Sequence, residues 1–248
     1  MPKLFKFLLV CAALALQSAC GGSDWRLQIG YRGSGIESPP YLPPAGTGVT
    51  VDVAAAWRHY LEAQRMWETS GQTSGNPFTL ALVRAPGPDR LFPYNGQLLQ
   101  SSGDALRLRL AGAASDQIDR TLYFTKDSLL GITDNQGGAV RCAATRTPPP
   151  PLPGLARVGD SGIVVALDRF DDCQPGAAVV GTVELRWAIR QDLAVTLFCL
   201  TTLGQRGTGA LTATHTVCLQ TSATGELGDG ARLSLRRADG SDISAKNY

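Results

Sequence analysis

The stretch Leu106-Arg107-Leu108-Arg109-Leu110 alternates leucines with arginines. Because successive side chains of a strand point to opposite faces, this pattern predicts a β-strand with one buried and one solvated face. Phe78, Leu80 and Leu82 alternate with their neighbours in the same way. Because the apolar residues recur every second position, we predict a mainly β protein.

Further candidate strands follow along the chain at roughly ten-residue spacing, which is typical of all-β folds. They are predicted at Ile118, Thr121–Phe124, Leu129–Ile132, Gly162–Phe170, Thr182–Ile189, Ala194–Thr202, Ala210–Gln220 and Ala231–Arg237. Turn signals are found at Ala85–Pro88, Asn95-Gly96, Ser102–Asp104, Asn135–Gly138 and Gly228–Gly230. Short turns between strands indicate an antiparallel meander, arranged as sandwich sheets or an open barrel.

One N-terminal segment departs from this period. Residues from Val51 to about Met66 have helical spacing and contain a run of alanines. Asp52 is a good residue to cap the start of a helix. Trp57 and Leu61 fall on one face, which we expect to dock on a sheet, whereas His59 falls on the flank and is expected at the surface.

A proline-rich run, Pro148-Pro149-Pro150-Pro151-Leu152-Pro153, interrupts the strand pattern. Proline cannot donate to a sheet ladder, so the run indicates a stiff connection. We therefore place a linker at 147–154. It divides a helix-plus-meander domain, 49–146, from a disulfide-containing β domain, 155–248, and whether the two series form one sandwich stays open.

Four of the six cysteines lie downstream of the N-terminal region. They are Cys142, Cys173, Cys199 and Cys218. An even number in an oxidising compartment indicates two disulfides, for which three pairings exist. We favour Cys199–Cys218, since both lie in candidate neighbouring strands, together with Cys142–Cys173. A metal site is the less favoured alternative, because the chain has no Cys-x-x-Cys and only two histidines.

The first residues have the features of an export signal. Lys3 and Lys6 precede an apolar run from Phe7 to Leu16. A charged start, about ten apolar residues and a small-residue cleavage site define a secretory signal. The run is shorter than the ~20 residues that span a bilayer.

The residues Leu16-Gln17-Ser18-Ala19-Cys20-Gly21 resemble the cleavage site of bacterial lipoproteins. The resemblance implies that residues 1–19 are removed and that Cys20 is lipidated, with palmitate among its acyl chains. Gly21 after the cysteine, where Asp would favour the inner membrane, implies an outer-membrane lipoprotein that faces the periplasm. Residues 20–48 are rich in Gly, Pro and Ser and are expected to form a flexible tether. The alternative is an ordinary secretory signal that leaves Cys20 as a thiol.

The charge balance argues against nucleic acid as a partner. The whole chain carries a formal charge of +2, which Lys3 and Lys6 account for, so the mature chain is neutral. Nucleic-acid binding proteins carry clustered Lys and Arg. The partners we expect are the membrane, through the lipid anchor, and an envelope protein.

Gly159-Asp160-Ser161-Gly162 resembles the nucleophile motif of chymotrypsin-like serine proteases, and Leu211–His215 echoes their histidine motif. A serine nucleophile needs a histidine within hydrogen-bond reach and a carboxylate that orients it. That family places its histidine before its serine, whereas His215 follows Ser161. We therefore favour a tight turn that opens a strand at Ser161.

Asp168, Asp171 and Asp172 form a small acidic cluster. Clustered carboxylates can bind Ca²⁺, which takes six to eight oxygen ligands, and paired carboxylates can hydrolyse glycosides. The cluster lacks the spacing of an EF-hand, so a solvated loop is the favoured interpretation.

The leading hypothesis is a non-enzymatic, periplasm-facing interaction or structural module without a cofactor. One alternative is a carrier or sensor of a small apolar or lipid ligand held between sheets, which requires a large apolar cavity. A third hypothesis is an envelope-polymer hydrolase. It requires Ser161, His215 or the acidic cluster to meet in one cleft.

Overall fold

The computed structural model describes residues 48–111, 113–126, 128–136, 139–145, 147–170, 172–206, 211–236 and 240–248. Every described residue lies within one compact unit, residues 42–248. The signal-like segment, Cys20 and the predicted tether up to residue 47 lie outside the described residues, and so does Asp171.

The described chain contains one helix and fourteen strands, and it is mainly β, as predicted. The elements are β1 (Thr50–Asp52), α1 (Val53–Glu62), β2 (Arg65–Thr73), β3 (Asn76–Leu91), β4 (Leu98–Leu110), β5 (Ala113–Thr125), β6 (Ser128–Gln136), β7 (Ala139–Ala144), β8 (Leu155–Arg157), β9 (Ser161–Phe170), β10 (Val179–Asp192), β11 (Val195–Arg206), β12 (Leu211–Thr221), β13 (Leu227–Arg236) and β14 (Asp242–Lys246).

Twelve of these strands form one antiparallel sheet in the order β14-β13-β12-β11-β10-β9-β7-β6-β5-β4-β3-β2, and β1 pairs with β8 separately. Strands before and after the proline-rich run are neighbours in this sheet, because Cys142 of β7 pairs with Phe170 of β9. The main core also draws on both strand series. The two series therefore continue in one sheet.

The sheet is nearly closed, and side chains bridge its two edges. Trp67 Nε1 on edge strand β2 donates to the Gly228 carbonyl of β13 at 2.9 Å. Asn247 Nδ2, just after edge strand β14, donates to the Glu68 carbonyl of β2 at 3.0 Å. Hydrogen bonds from side chains thus connect the edges where no backbone ladder is formed between β2 and β14.

Helix α1 was predicted, and the structure confirms it with narrower bounds. The side chain of Asp52 accepts a hydrogen bond from the Ala55 N–H at 2.9 Å, which satisfies one of the free donors at the helix start. Trp57 and Leu61 are buried in the same core as the inner face of the sheet. The helix ends before Ala63, which is extended, and β2 follows at once. Among the described residues, no helix has the length and apolar composition to cross a bilayer.

Three predicted turns were wrong. Ala85–Pro88 and Ser102–Asp104 lie inside β3 and β4, where Ala85 pairs with Gly103 and Pro86 with Ser102. The ladder shifts register between Gly87 and Arg90, and this irregularity accommodates Pro88. Gly228–Gly230 likewise lies within β13 rather than before it. Turn-type residues occur here at irregular places of long strands.

Both predicted disulfides are confirmed. Cys199 and Cys218 are direct partners on β11 and β12, with their Cα atoms 3.9 Å apart. Cys142 of β7 is bonded to Cys173, with a Cα distance of 5.2 Å. Each bond lies within a small apolar cluster separate from the main core.

The antiparallel order gives the sheet two distinct ends. At one, which we call the helix end, lie α1 and the connections β3–β4, β5–β6, β7–β9, β10–β11 and β12–β13. At the other, which we call the far end, lie the connections β2–β3, β4–β5, β6–β7, β9–β10, β11–β12 and β13–β14.

Candidate functional site

A group of polar side chains lies inside the sheet against the C-terminal end of α1. This buried ionic cluster consists of Tyr60, Arg84, Ser102, Asp104, Arg120, Thr202 and His215. Arg84 of β3 pairs with Asp104 of β4, which pairs with Arg120 of β5. Residues directly opposite each other share a face, so these three charged side chains form one row on the inner face.

Arg84 is 1% exposed and binds the end of the helix. Its Nε and Nη2 donate to the carbonyl oxygens of Tyr60 and Leu61, each at 3.2 Å. The guanidinium also lies 4.3 Å from the centroid of the Tyr60 ring. The last carbonyls of a helix have no intrahelical partner and carry the negative end of the helix dipole. Arg84 therefore satisfies the helix end and fixes it to the sheet.

Asp104 compensates the two arginines. Its carboxylate accepts a hydrogen bond from Arg120 Nη2 and lies 3.9 Å from Arg84 Nη1. Burial alone would raise the pKa of this carboxyl, but the charges of Arg120 and Arg84 hold the pKa below its ordinary value. Arg120 Nη1 also donates to Thr202 Oγ1 at 3.0 Å. The cluster thus connects the row on β3–β5 with β11 across the interior.

The titration of the cluster does not suit acid–base catalysis near neutral pH. Burial, reinforced by the charge of Arg120, lowers the pKa of His215 to about 3. Burial, reinforced by the charge of Asp104, raises the pKa of Tyr60. A general acid or base is most effective when its pKa lies near the working pH. Both side chains are instead held in their neutral forms.

A cavity of about 10 Å³ adjoins the cluster and is lined by Tyr60, Asp104, Arg120, Thr202, His215 and five apolar side chains. Three buried atoms of the cluster have no hydrogen-bond partner among the residues that the structure describes: Arg84 Nη1, Asp104 Oδ1 and Arg120 Nε. A cavity of ~10–15 Å³ accommodates one water molecule. The space suits a single bridging water and is too small for a lipid or a metabolite.

Ser161 and His215 do not form a catalytic pair. Ser161 is the exposed first residue of β9 and pairs with Ala188, which packs on the outer cluster around Cys199. His215 is buried and lines the interior cavity. Because the two side chains lie on opposite faces of the sheet, the serine has no histidine within hydrogen-bond reach.

The acidic residues do not join His215 either. Asp168 lies two residues from Phe170 on β9 and so shares the outer face with it, where Phe170 packs in the cluster around Cys142. Asp172 lies in the connection to β10. Over the described part of the chain, no group of three or more His, Cys, Asp or Glu side chains is arranged to hold a metal ion.

A surface depression of about 260 Å³ lies between the C-terminal part of α1 and β13. It is lined by His59, Ala63, Gln64, Arg65, Trp67, Glu226 and Leu227. Arg65 donates to the Leu227 carbonyl at 3.1 Å, lies 5.4 Å from the Trp67 ring centroid and pairs with Asp229. His59 is exposed, as predicted, and its Nδ1–H donates to the Gly225 carbonyl at 2.8 Å. These polar groups already hold α1 and β2 against β13.

Sequence reasoning missed the buried ionic cluster, although a signal was present. Arg84 follows Leu80 and Leu82 at the same period, and Asp104 precedes Leu106 and Leu108 in the same way. A charge in phase with an apolar face is expected to be buried. Ser102-Gly103-Asp104 was instead interpreted as a turn.

No protein-family model, no curated protein and no solved structure matches this chain.

Proposed function

We propose that this protein is a non-enzymatic lipoprotein, anchored through Cys20 to the outer membrane and facing the periplasm. Its folded part serves as an interaction or structural module. The charged and apolar N-terminal segment that ends at Cys20 supports the anchor. The two disulfides support an oxidising compartment.

Among the residues that the structure describes, the close packing of the helix against the inner face of the sheet supports a module over a carrier. Helix α1 contributes Trp57, Tyr60 and Leu61 to the core that covers the inner face of the sheet. The cavity beside the buried ionic cluster measures about 10 Å³, whereas pockets for small molecules are typically about 300–1,000 Å³. A scaffold of this kind meets its partners at its outer surface.

The anchor is tested by labelling a Gram-negative host with palmitate while it expresses the full-length chain or its Cys20→Ala variant. We expect the label on the full-length protein, which fractionates with the outer membrane, and no label on the variant. An unlabelled full-length protein would contradict the lipoprotein part of the proposal.

The module is tested by photo-crosslinking in intact cells. A photoreactive residue is placed at Ala166 or Arg107, which are exposed on the outer face, or at the buried Leu108 as a control. We expect the exposed positions to yield a discrete adduct with one envelope component and the buried position to yield none. Absence of any adduct across a scan of the exposed positions would count against an interaction module.

A further inference from the structure

The most exposed leucines among the described residues all lie at the helix end. Leu91 and Leu98 are each 63% exposed and face each other where the β3–β4 connection begins and ends. Leu193, in the β10–β11 turn, is 73% exposed, and Leu155 of β8, in the β7–β9 connection, is 69% exposed. Single exposed apolar residues are common on soluble proteins. The unusual feature here is that these leucines occur at one end.

The far end has a different composition. Its connections β2–β3, β4–β5, β6–β7 and β11–β12 have no large apolar residue in sequence and read Ser74-Gly75, Ala111-Gly112, Gly137-Gly138 and Gly207-Thr208-Gly209-Ala210. The exposed large apolar side chains described near it are the smaller Val140 and Val179, at the starts of β7 and β10. The two ends of one sheet therefore offer different chemistry to their surroundings.

The N-terminal chain enters the fold at the leucine-bearing end. Thr50–Asp52 pairs with β8, and the Asp52 N–H donates to the Ala223 carbonyl of the β12–β13 connection at 3.0 Å. Any anchor on Cys20 is therefore joined to the folded unit through the helix end. The proposed lipid anchor and the exposed leucines are connected to the same end of the sheet.

Leu193 adds an independent observation. Its φ is +56°, in the left-handed region that glycine and asparagine adopt more easily than leucine. The residue combines an unfavourable backbone conformation with a side chain that is mostly in water. No packing within the described part of the chain offsets either cost, because the side chain remains 73% exposed.

We infer that the helix end is a docking surface for a phospholipid bilayer, which Leu91, Leu98, Leu155 and Leu193 contact with their side chains. This inference rests on the proposed lipoprotein function, because the chain that carries the anchor enters the fold at this end. The mature chain is formally neutral, so the contact is apolar rather than electrostatic. Membrane-surface binding of this kind scales with the apolar area that leaves water.

The test uses the unlipidated chain from Gly21 to Tyr248, secreted behind a cleavable signal so that its disulfides form. This chain contains the whole described unit with its own core. It is floated with vesicles of phosphatidylethanolamine and phosphatidylglycerol. We expect the wild type to float, in high salt as well as low salt, because screening does not weaken an apolar contact.

The test variant combines Leu91→Ser, Leu98→Ser and Leu193→Asn. We expect its partition into vesicles to fall about tenfold or more, since each leucine loses apolar area that the bilayer would cover. The control combines Val140→Ser and Val179→Ser near the far end and is expected to float like the wild type. Circular dichroism and melting temperature establish that both variants are folded.

Three outcomes would overturn the inference: a wild type that stays with the soluble fraction, a leucine variant that floats equally well, or a valine variant that loses as much binding. If the leucines bound an envelope protein and no vesicle, the partner of this surface would be a protein and the inference would be wrong. Palmitate labelling of the full-length protein tests the lipid anchor independently. If Cys20 is labelled but the unlipidated chain does not float, the docking surface is rejected and the lipoprotein proposal stands.

Discussion

The buried ionic cluster and the leucine-bearing helix end both hold side chains where they cost free energy, but the cost is offset differently. Arg84, Asp104 and Arg120 are removed from water, and each has an oppositely charged or hydrogen-bonding partner within the chain. Leu91 and Leu193 remain in water without such a partner. The contacts of the cluster therefore stabilise the fold, whereas the exposed leucines point to a binding partner outside the chain.

The largest expected change in the free energy of unfolding comes from a substitution in the buried ionic cluster. Asp104→Ala removes the carboxylate that faces both buried guanidinium groups, and removing one partner of a buried ion pair costs about 3–5 kcal/mol. We expect urea unfolding to show a loss of this size. Asp89→Ala is the matched control, since Asp89 is exposed, and it should stay within about 0.5 kcal/mol of the wild type. Equal losses in the two variants would show that the cluster is not a stabilising contact.

The disulfides are expected to come next. Removal of a native disulfide from a secreted domain costs about 2–5 kcal/mol, because the unfolded chain gains freedom. Cys199→Ser should therefore lower the melting temperature, and a reductant should lower that of the wild type. A melting temperature that is the same in air and in reductant would contradict this expectation.

Two glycines allow a substitution at a closely packed position to be compared with the same substitution at an open one. Gly225 and Gly75 both have φ of +80°, but a Cβ on Gly225 would lie 2.5 Å from the Ala56 backbone nitrogen, whereas one on Gly75 meets open space. Both alanine variants lose about 1–2 kcal/mol from the left-handed conformation. Gly225→Ala should lose a further ~1–3 kcal/mol by displacing the start of α1. Chemical unfolding measures the difference, and equal losses would show that the loop does not press on the helix.

Stability should also depend on pH through His215. The pKa of an unfolded histidine is near 6.5, whereas burial lowers that of His215 to about 3. Between these values the unfolded chain binds a proton that the folded chain does not. The free energy of unfolding should therefore fall as the pH is lowered from 6.5 towards 3, by up to about 1.4 kcal/mol per pH unit.

The matching variants are His215→Gln, which should flatten this dependence, and the exposed His59→Gln, which should keep it. Urea unfolding at several pH values measures the slope. If His215→Gln retained the slope of the wild type, another group would have to bind the proton.

The smallest effect is expected at the helix end. Leu193→Asn removes an exposed side chain and suits the left-handed backbone, so the free energy of unfolding should change by no more than about 0.5 kcal/mol. Thermal unfolding measures this. A large loss would mean that Leu193 packs within the fold and would remove it from the docking surface.

Local pattern accounts for much of the fold. The alternation at Leu106–Leu110 predicted a strand of the sheet, and the matched positions of Cys199 and Cys218 predicted their bond. Turn chemistry was less informative: Pro86 lies opposite Ser102, and Gly103 opposite Ala85, inside long strands, because pairing with a neighbouring strand outweighs local preference. The cluster could not be assembled from sequence, since Arg120 and Thr202 meet only when β5 and β11 come together across the interior.

The most direct test of a filled interior is native mass spectrometry of the unlipidated chain from Gly21 to Tyr248, purified gently from a periplasm. With two disulfides, we expect the mass of the polypeptide less four hydrogens and no stoichiometric small molecule. That result would leave the function at the outer surface and the helix end. A small molecule that stays bound at one per chain and leaves only on unfolding would contradict the account and restore the carrier hypothesis.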